Sequence, residues 1–162
     1  MSDPLFAAKI DSPLGPITVV ASAAGLRSVT LNACPWDDAW TLTDMPDVTA
    51  QLGEYFAGKR TEFDLPLDPQ GSVFDLEVWQ PLTHIPYGET PTYGELARQV
   101  GRPKGAQAVG GANGRNPLAI IIPCHRVIGK RGALTGYAGG LDRKRALLTL
   151  EGSFSEPLSL FS

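Results

Sequence analysis

A chain of 162 residues with 43% hydrophobic content and a net charge of −3 is long enough for one domain or two small lobes, and this composition argues against disorder. No apolar run approaches the roughly 20 residues of a membrane helix, and Met1 to Ala8 carries an acid and no basic region. Neither a span nor a signal peptide is therefore expected, and the compartment is expected to be cytoplasmic. Cys34 and Cys124 stand far apart and are read as reduced; with His84 and His125 they show no paired ligand spacing, so no metal is expected.

From Phe6 to Leu31, short apolar and β-branched runs alternate with the turn signals Ser12-Pro13-Leu14-Gly15 and Ala23-Ala24-Gly25, which predicts a small antiparallel sheet. A helix is expected over about 46–57, with Val48, Leu52, Tyr55 and Phe56 on one face and Gly58 as the stop. The segment Phe63 to Gly71, broken by Pro66 and Pro69, reads as a linker, and a lobe boundary is placed between residues 70 and 71.

Ser72 is expected to cap a helix in which Phe74, Val78 and Leu82 recur every four residues, with Pro81 kinking or ending it. Thr92-Tyr93-Gly94-Glu95 is a cleaner capping box, opening a short helix with Leu96, Ala97 and Val100 inward. After Pro103 and Lys104 a further helix, Ala106 to Ala112, closes at Asn113-Gly114, so the pair is a helix-turn-helix candidate. The second helix is built from small residues, including Gly105, Gly110 and Gly111. Glycine costs a helix about 1 kcal/mol relative to alanine, so close approach by a partner surface or tight internal packing is required to account for them. Leu118 to Ile122 reads as a short strand ending at Pro123-Cys124-His125-Arg126-Val127. The triplet Arg143-Lys144-Arg145 reads as the start of a surface helix leading to Leu147, Leu148 and Leu150. The fold class is thus α/β of the α+β kind: a sheet-bearing lobe over 1–70 and a helical lobe over 71–162.

Charge divides the same way. Residues 1–90 hold 4 Lys and Arg against 13 Asp and Glu, and residues 91–162 hold 10 against 4. A basic back half supplies counterion-releasing contacts to nucleic acid; charge alone is equally compatible with a solubility bias.

A cysteine is a strong nucleophile as the thiolate, which a neighbouring imidazole or positive charge favours, and His125 and Arg126 adjoin Cys124. On spacing alone a buried structural cysteine is the commoner outcome. The combination is more specific: Pro123 to Val127 behind Asn116-Pro117 and an Ile-rich run resembles the active-site signature of the O6-alkylguanine-DNA alkyltransferases. The resemblance runs from Ser72 to Gly152 and includes Thr92-Tyr93, Ala108 to Ala112, Tyr137 with Gly139-Gly140-Leu141, and Glu151-Gly152.

That resemblance implies single-use transfer of an alkyl group from O6-alkylguanine in double-stranded DNA to Cys124. His125 would act as general base through a water, and Glu151 would orient the imidazole. Asn116 would brace the turn, and Tyr93 would help extrude the base and donate to guanine N3. The carbonyls of Cys124 and Val127 and the amide of Ala138 would meet the guanine, with Tyr137 and Asn113 walling the pocket. The small-faced helix, with Ala106, Gln107 and Gly110, would lie in the minor groove, and Arg102, Lys104 and Arg115, with Lys130 and Arg131 as further candidates, would position phosphates. Because the acceptor is internal, no cofactor is expected, nor a membrane or obligate protein partner, and the chain is expected to be a monomer. Gln107 departs from the family's intercalating arginine, which predicts weaker binding, slower extrusion, or a different residue such as Arg102 or Arg115 taking part. Asn113 and Ala119 alter the pocket wall. The alternatives are a damage sensor, from which Cys124 departs because such relatives replace the cysteine by tryptophan, and a cysteine hydrolase, for which no oxyanion hole is marked in the sequence.

Overall fold

The computed structural model describes residues 4–31 and 34–153. Strands β1 (Phe6–Ile10), β2 (Ile17–Ala21), β3 (Leu26–Thr30) and β4 (Thr41–Leu42) form one sheet in the order β3-β2-β1-β4. The first three are antiparallel, as expected from the turn signals, but β4 joins β1 in parallel, so the sheet is mixed. The first turn is made by Ser12, whose Oγ accepts from the Leu14 amide while Gly15, at φ 100°, donates to the Ser12 carbonyl. Helix α1 (Pro46–Phe56) follows, burying Val48, Leu52 and Tyr55 as its period requires.

Edge strand β3 is where the two lobes meet. The amide of Leu26 donates to Pro66 and the amide of Asp68 to Leu26, so the connection between the lobes runs along this edge. The approach is close: a Cβ at Gly25, whose φ is 156°, would lie 2.7 Å from the Pro66 carbonyl. Farther along, Val29 donates to Pro117 and accepts from Ala119.

The C-terminal lobe comprises α2 (Val73–Leu82), α3 (Tyr93–Gln99), α4 (Ala106–Gly114) and α5 (Leu141–Leu150). Both capping boxes form, Ser72 with Asp75 and Thr92 with Glu95. Pro81 lies in the last turn of α2, which continues only one residue further, because the ring removes a donor where little helix remains to need it. Trp79 on α2 donates its indole N–H to the Ala112 carbonyl at 2.8 Å, fastening α4, and α3 and α4 form the helix-turn-helix.

The run Leu118 to Ile122 corrects the expectation of a strand. Only Leu118 makes a bridge, to Val29, after which the chain turns with Ile120 at φ 71°. A β-branched residue in the left-handed region is strained; here Ile120 is 1% exposed, and Ile122 donates to Leu118 across the turn. An apolar run buried on all sides gives no periodicity to separate turn from strand.

Replacing Ser72 by alanine removes the α2 cap and should cost about 1 kcal/mol, read as a lower urea midpoint with an unchanged slope. An unchanged midpoint would show that the cap contributes nothing to the fold.

Candidate active site and DNA-facing helix

The turn at Ile120 delivers Cys124 and His125 into the protein on a single 3-10 turn, Cys124–Arg126. Asn116 braces it: its Nδ2 donates to the Ile122 carbonyl at 2.8 Å, and its Oδ1 accepts from the Leu118 amide at 3.0 Å. Cys124 is 5% exposed, and burial raises its thiol pKa above the ordinary value, partly countered by the Asn116 side chain and by Lys144. At rest the group is a thiol, not a standing thiolate.

His125 is fully buried. Its Nε2 meets Glu151 Oε2 at 2.8 Å, while Nδ1 is buried with no protein partner among the described residues. Glu151, the residue following α5, also accepts from Arg126, whose Nε lies 2.8 Å from Oε1 and whose Nη2 lies 3.1 Å from Oε2. Arg126 in turn donates to the Ile85 carbonyl at 2.6 Å. Burial alone would raise the Glu151 pKa, but donors from His125 and Arg126 outweigh it and hold the value at about 2. Burial lowers the pKa of His125, leaving the imidazole neutral beside a charged carboxylate that Arg126 balances.

The remaining expected residues surround this centre. Tyr93 begins α3; its hydroxyl donates to the Thr135 carbonyl at 3.3 Å, and its pKa is raised by burial, so it stays protonated. Asn113 is 2% exposed; its Nδ2 donates to the Cys124 carbonyl at 3.3 Å and its Oδ1 has no partner among the described residues. Tyr137 also holds a buried hydroxyl without such a partner, whereas Ala138 is exposed on the loop before α5. The Val127 carbonyl accepts from Lys144 Nζ at 2.7 Å and retains a second lone pair for a ligand, whereas the Cys124 carbonyl accepts from both Asn113 Nδ2 and the Val127 amide at 3.3 Å.

Lys144 corrects the reading of 143–145 as a surface triplet. It is 0% exposed, donating to Val127 and Thr135 with its Nζ 5.7 Å from the Tyr93 ring centroid, and burial lowers its pKa to about 8. The signal was present in the sequence: Lys144, Leu147 and Leu148 occupy positions i, i+3 and i+4, one helix face. Tyr55 was legible only as an apolar position; its hydroxyl meets Glu151 Oε2 at 2.5 Å. The sequence also offered no sign that Arg126 serves Glu151 rather than the cysteine.

On α4, Gln107, Ala108 and Gly111 are exposed, while Val109, Ala112 and Asn113 face inward. Part of the small stripe therefore faces solvent, and internal packing does not account for all of it. A Cβ at Gly110 would lie in ordinary van der Waals contact with the Tyr93 ring at 3.6 Å, so internal packing does not require glycine there, and Ala106 is half-buried. Arg102 and Lys104 are exposed in the turn before α4, with the Arg102 guanidinium over the Phe74 ring at 4.9 Å. Arg115 is committed to Asp75 through two bonds of 2.8 and 3.1 Å, and Lys130 and Arg131 are exposed. Among the described residues no His, Cys, Asp or Glu cluster could hold a metal, and no helix is long and apolar enough to cross a membrane.

A helix-turn-helix lobe that buries a cysteine beside a histidine–glutamate pair defines a class: DNA-binding proteins with an internal thiol acceptor. Residues 73–153 match the DNA-binding domain of 6-O-methylguanine DNA methyltransferase, and residues 5–69 match its ribonuclease-like domain. The methylated-DNA–protein-cysteine methyltransferase of Mycolicibacterium paratuberculosis is 52% identical over 156 residues, covering 93% of this chain and 94% of that protein. The protein of the same name from Methanosarcina acetivorans is 48% identical, covering 92% and 99%. Mycobacterium tuberculosis OGT in complex with DNA superposes with a TM-score of 0.86 at 50% identity, covering 91% of this chain and 93% of that one. The chain belongs to the 6-O-methylguanine DNA methyltransferase family, transferases of direct-reversal DNA repair with a protein cysteine as acceptor.

Acidification should lower stability over two pH windows. The buried imidazole binds a proton less readily than the ordinary value of 6.5, so the unfolded chain gains protons first and stability falls below about that pH. Glu151 adds a second loss as pH falls from 4.5, its ordinary value, toward about 2. Glu151→Gln should shrink the second loss, leaving the share of Asp68 and Asp75, and, by leaving Arg126 without its counter-charge, cost about 3 kcal/mol near pH 7. Urea titrations across pH with superimposable curves for the two proteins would contradict this.

Proposed function

We propose that Cys124 is the acceptor in a single-use transfer of methyl or other alkyl groups from O6-alkylguanine in double-stranded DNA, with His125, Glu151, Asn116 and Tyr93 as its machinery. The observation that carries the reading is the neutral His125, held by Glu151 at 2.8 Å with its other ring nitrogen buried and unused by protein, on the same turn as the buried thiol. A water bridging Nδ1 and the sulfur would pass the thiol proton to the imidazole. The sulfur then bonds the alkyl carbon as the carbon–O6 bond breaks, and the electron pair goes to the purine. Tyr93, protonated at every physiological pH, donates to guanine N3 as that charge arrives. Lys144, its Nζ 3.5 Å from the Tyr93 hydroxyl, holds the Val127 and Thr135 carbonyls in place and opposes negative charge in the pocket.

The reacting carbon is out of reach within a base stack, so the base must be extruded. Exposed Gln107, Ala108 and Gly111 on α4 suit close approach to a minor groove, and Arg102 and Lys104 suit phosphate contacts; the DNA complex of the M. tuberculosis relative supports DNA as the partner. Arg115 reaches phosphate only by sharing or releasing Asp75. Val127, Tyr137, Ala138 and Asn113 form the guanine pocket in this reading, and the lobe division falls between residues 70 and 71. The protein acts as a monomer in the cytoplasm without a cofactor; its two free cysteines are consistent with a reducing compartment.

Incubation with a duplex carrying one O6-methylguanine should add a single methylene to the Cys124 peptide by mass spectrometry, saturating at one per protein and absent in Cys124→Ser. Tight, damage-selective binding without any mass gain would instead make the protein a sensor. Gln107→Arg should tighten DNA binding several-fold and steepen the logarithmic salt dependence by about one, since one more cation releases one more counterion; an unchanged slope would remove position 107 from the interface.

A further inference from the structure

The N-terminal lobe reaches the buried Glu151 through the Tyr55 hydroxyl. Tyr55, on the inward face of α1, is 0% exposed, with its ring packed against Phe56 and Phe63 at centroid distances of 5.4 Å and edge-on to Tyr87 at 6.3 Å. From this aromatic nest its hydroxyl donates to Glu151 Oε2 across 96 residues of sequence. The same oxygen faces His125 Nε2 at 2.8 Å and Arg126 Nη2 at 3.1 Å. Glu151 stands just beyond the last turn of α5, followed by Gly152 at φ 79°, so its carboxylate is positioned by these donors rather than by helix packing. Arg126 grips both oxygens from the turn that also bears His125, and Tyr55 supplies a contact from a different element.

We propose that Tyr55 is a positioning residue for the transfer: its hydroxyl fixes the Glu151 oxygen that faces His125 and, by withdrawing charge from it, sets how basic the imidazole is. The inference rests on the reading of His125 as general base. The physical link is direct. A carboxylate oxygen already sharing its charge with a phenol stabilises an imidazolium less, so His125 remains neutral, and able to take the thiol proton, to lower pH. Burial and Glu151 both keep the phenol protonated, which makes it a permanent donor. The ionisable groups acting on the imidazole are Glu151 and Lys144 from α5 and its end and Arg126 from its own turn, with Tyr55 from α1 acting through Glu151. Among these, Tyr55 is the contribution of the first lobe, so the lobe acts on the chemistry as well as on the scaffold.

The test is the single-turnover rate of methyl transfer to Cys124 as a function of pH in the full chain, comparing Tyr55→Phe with the parent. Loss of the donor should move the acid limb upward by roughly half to one pH unit, so that rates well below the parent's limb fall about 3- to 10-fold while the rate near pH 8.5 changes less than about twofold. The imidazole nitrogen shifts of His125 should titrate upward in parallel. Phe63→Leu, which loosens the same nest without removing a donor, should lower the urea midpoint and leave the limb in place. 3-Fluorotyrosine at position 55, a stronger donor of nearly the same size, should move the limb down, and it serves if the phenylalanine variant does not fold. A limb that stays with the parent in the variant that folds, whatever the loss of stability, overturns the proposal and leaves Tyr55 a packing residue. His125→Phe distinguishes the two ideas: unimpaired transfer there would remove the general-base reading itself, whereas slow transfer with an unmoved Tyr55 limb removes only the role of Tyr55.

Discussion

The structure turns on one buried carboxylate. Glu151 is 5% exposed and receives Arg126 on both oxygens, with His125 and Tyr55 sharing Oε2. These partners come from α1 and from the turn after Ile122 and meet a carboxylate at the end of α5, so the charge is satisfied only when all three elements are in place. A buried ion pair is seldom a net source of stability, since desolvation offsets most of the Coulomb attraction, but breaking one is costly. Its value here is specificity of arrangement: the misassembled alternative strands a carboxylate and a guanidinium in an apolar core.

The same arrangement accounts for the state of the nucleophile. Cys124 is buried and its thiol is disfavoured from ionising, while His125 beside it is neutral for the same reason. Thiol and imidazole on one buried turn, with a fixed carboxylate 2.8 Å from the imidazole, carry no exposed charge. Burial also protects the thiol, since a standing thiolate is open to oxidation. Lys144 adds a positive charge from beneath, bound to the backbone of the pocket and near Tyr93.

The outer face of the C-terminal lobe obeys a different requirement. The helix-turn-helix exposes small side chains on α4 and places Arg102 and Lys104 in the turn before it, while Trp79 and Val109 anchor the helix from within. Small residues weaken an isolated helix, so the buried contacts of α4 must offset that loss. The inner face of α4 reaches the site through Asn113, whose amide touches the Cys124 carbonyl, and through Gly110 against Tyr93. Backbone approach outside and pocket geometry inside are thereby set by one short helix.

Local chemistry made much of this readable. Both capping boxes formed where Ser72 and Thr92 announced them, the helix pair followed, and the segment around Cys124 was specific enough to carry a family resemblance. Other features failed for definable reasons. The run from Leu118 to Ile122 looked like a strand because burial on every side erases the period by which strand and turn differ. Lys144 looked like surface because charge usually is, although its helical phase with Leu147 and Leu148 pointed inward. Tyr55 is beyond any local reading: a tyrosine on an apolar helix face declares its ring, but the partner of its hydroxyl lies 96 residues away. The sequence by itself determined the elements, the caps and the reactive group, because each depends on neighbours within a few residues. Only the tertiary structure decided which buried charges meet, because a carboxylate in a low-dielectric interior is held by whatever donors the fold brings to it, and those come from both lobes.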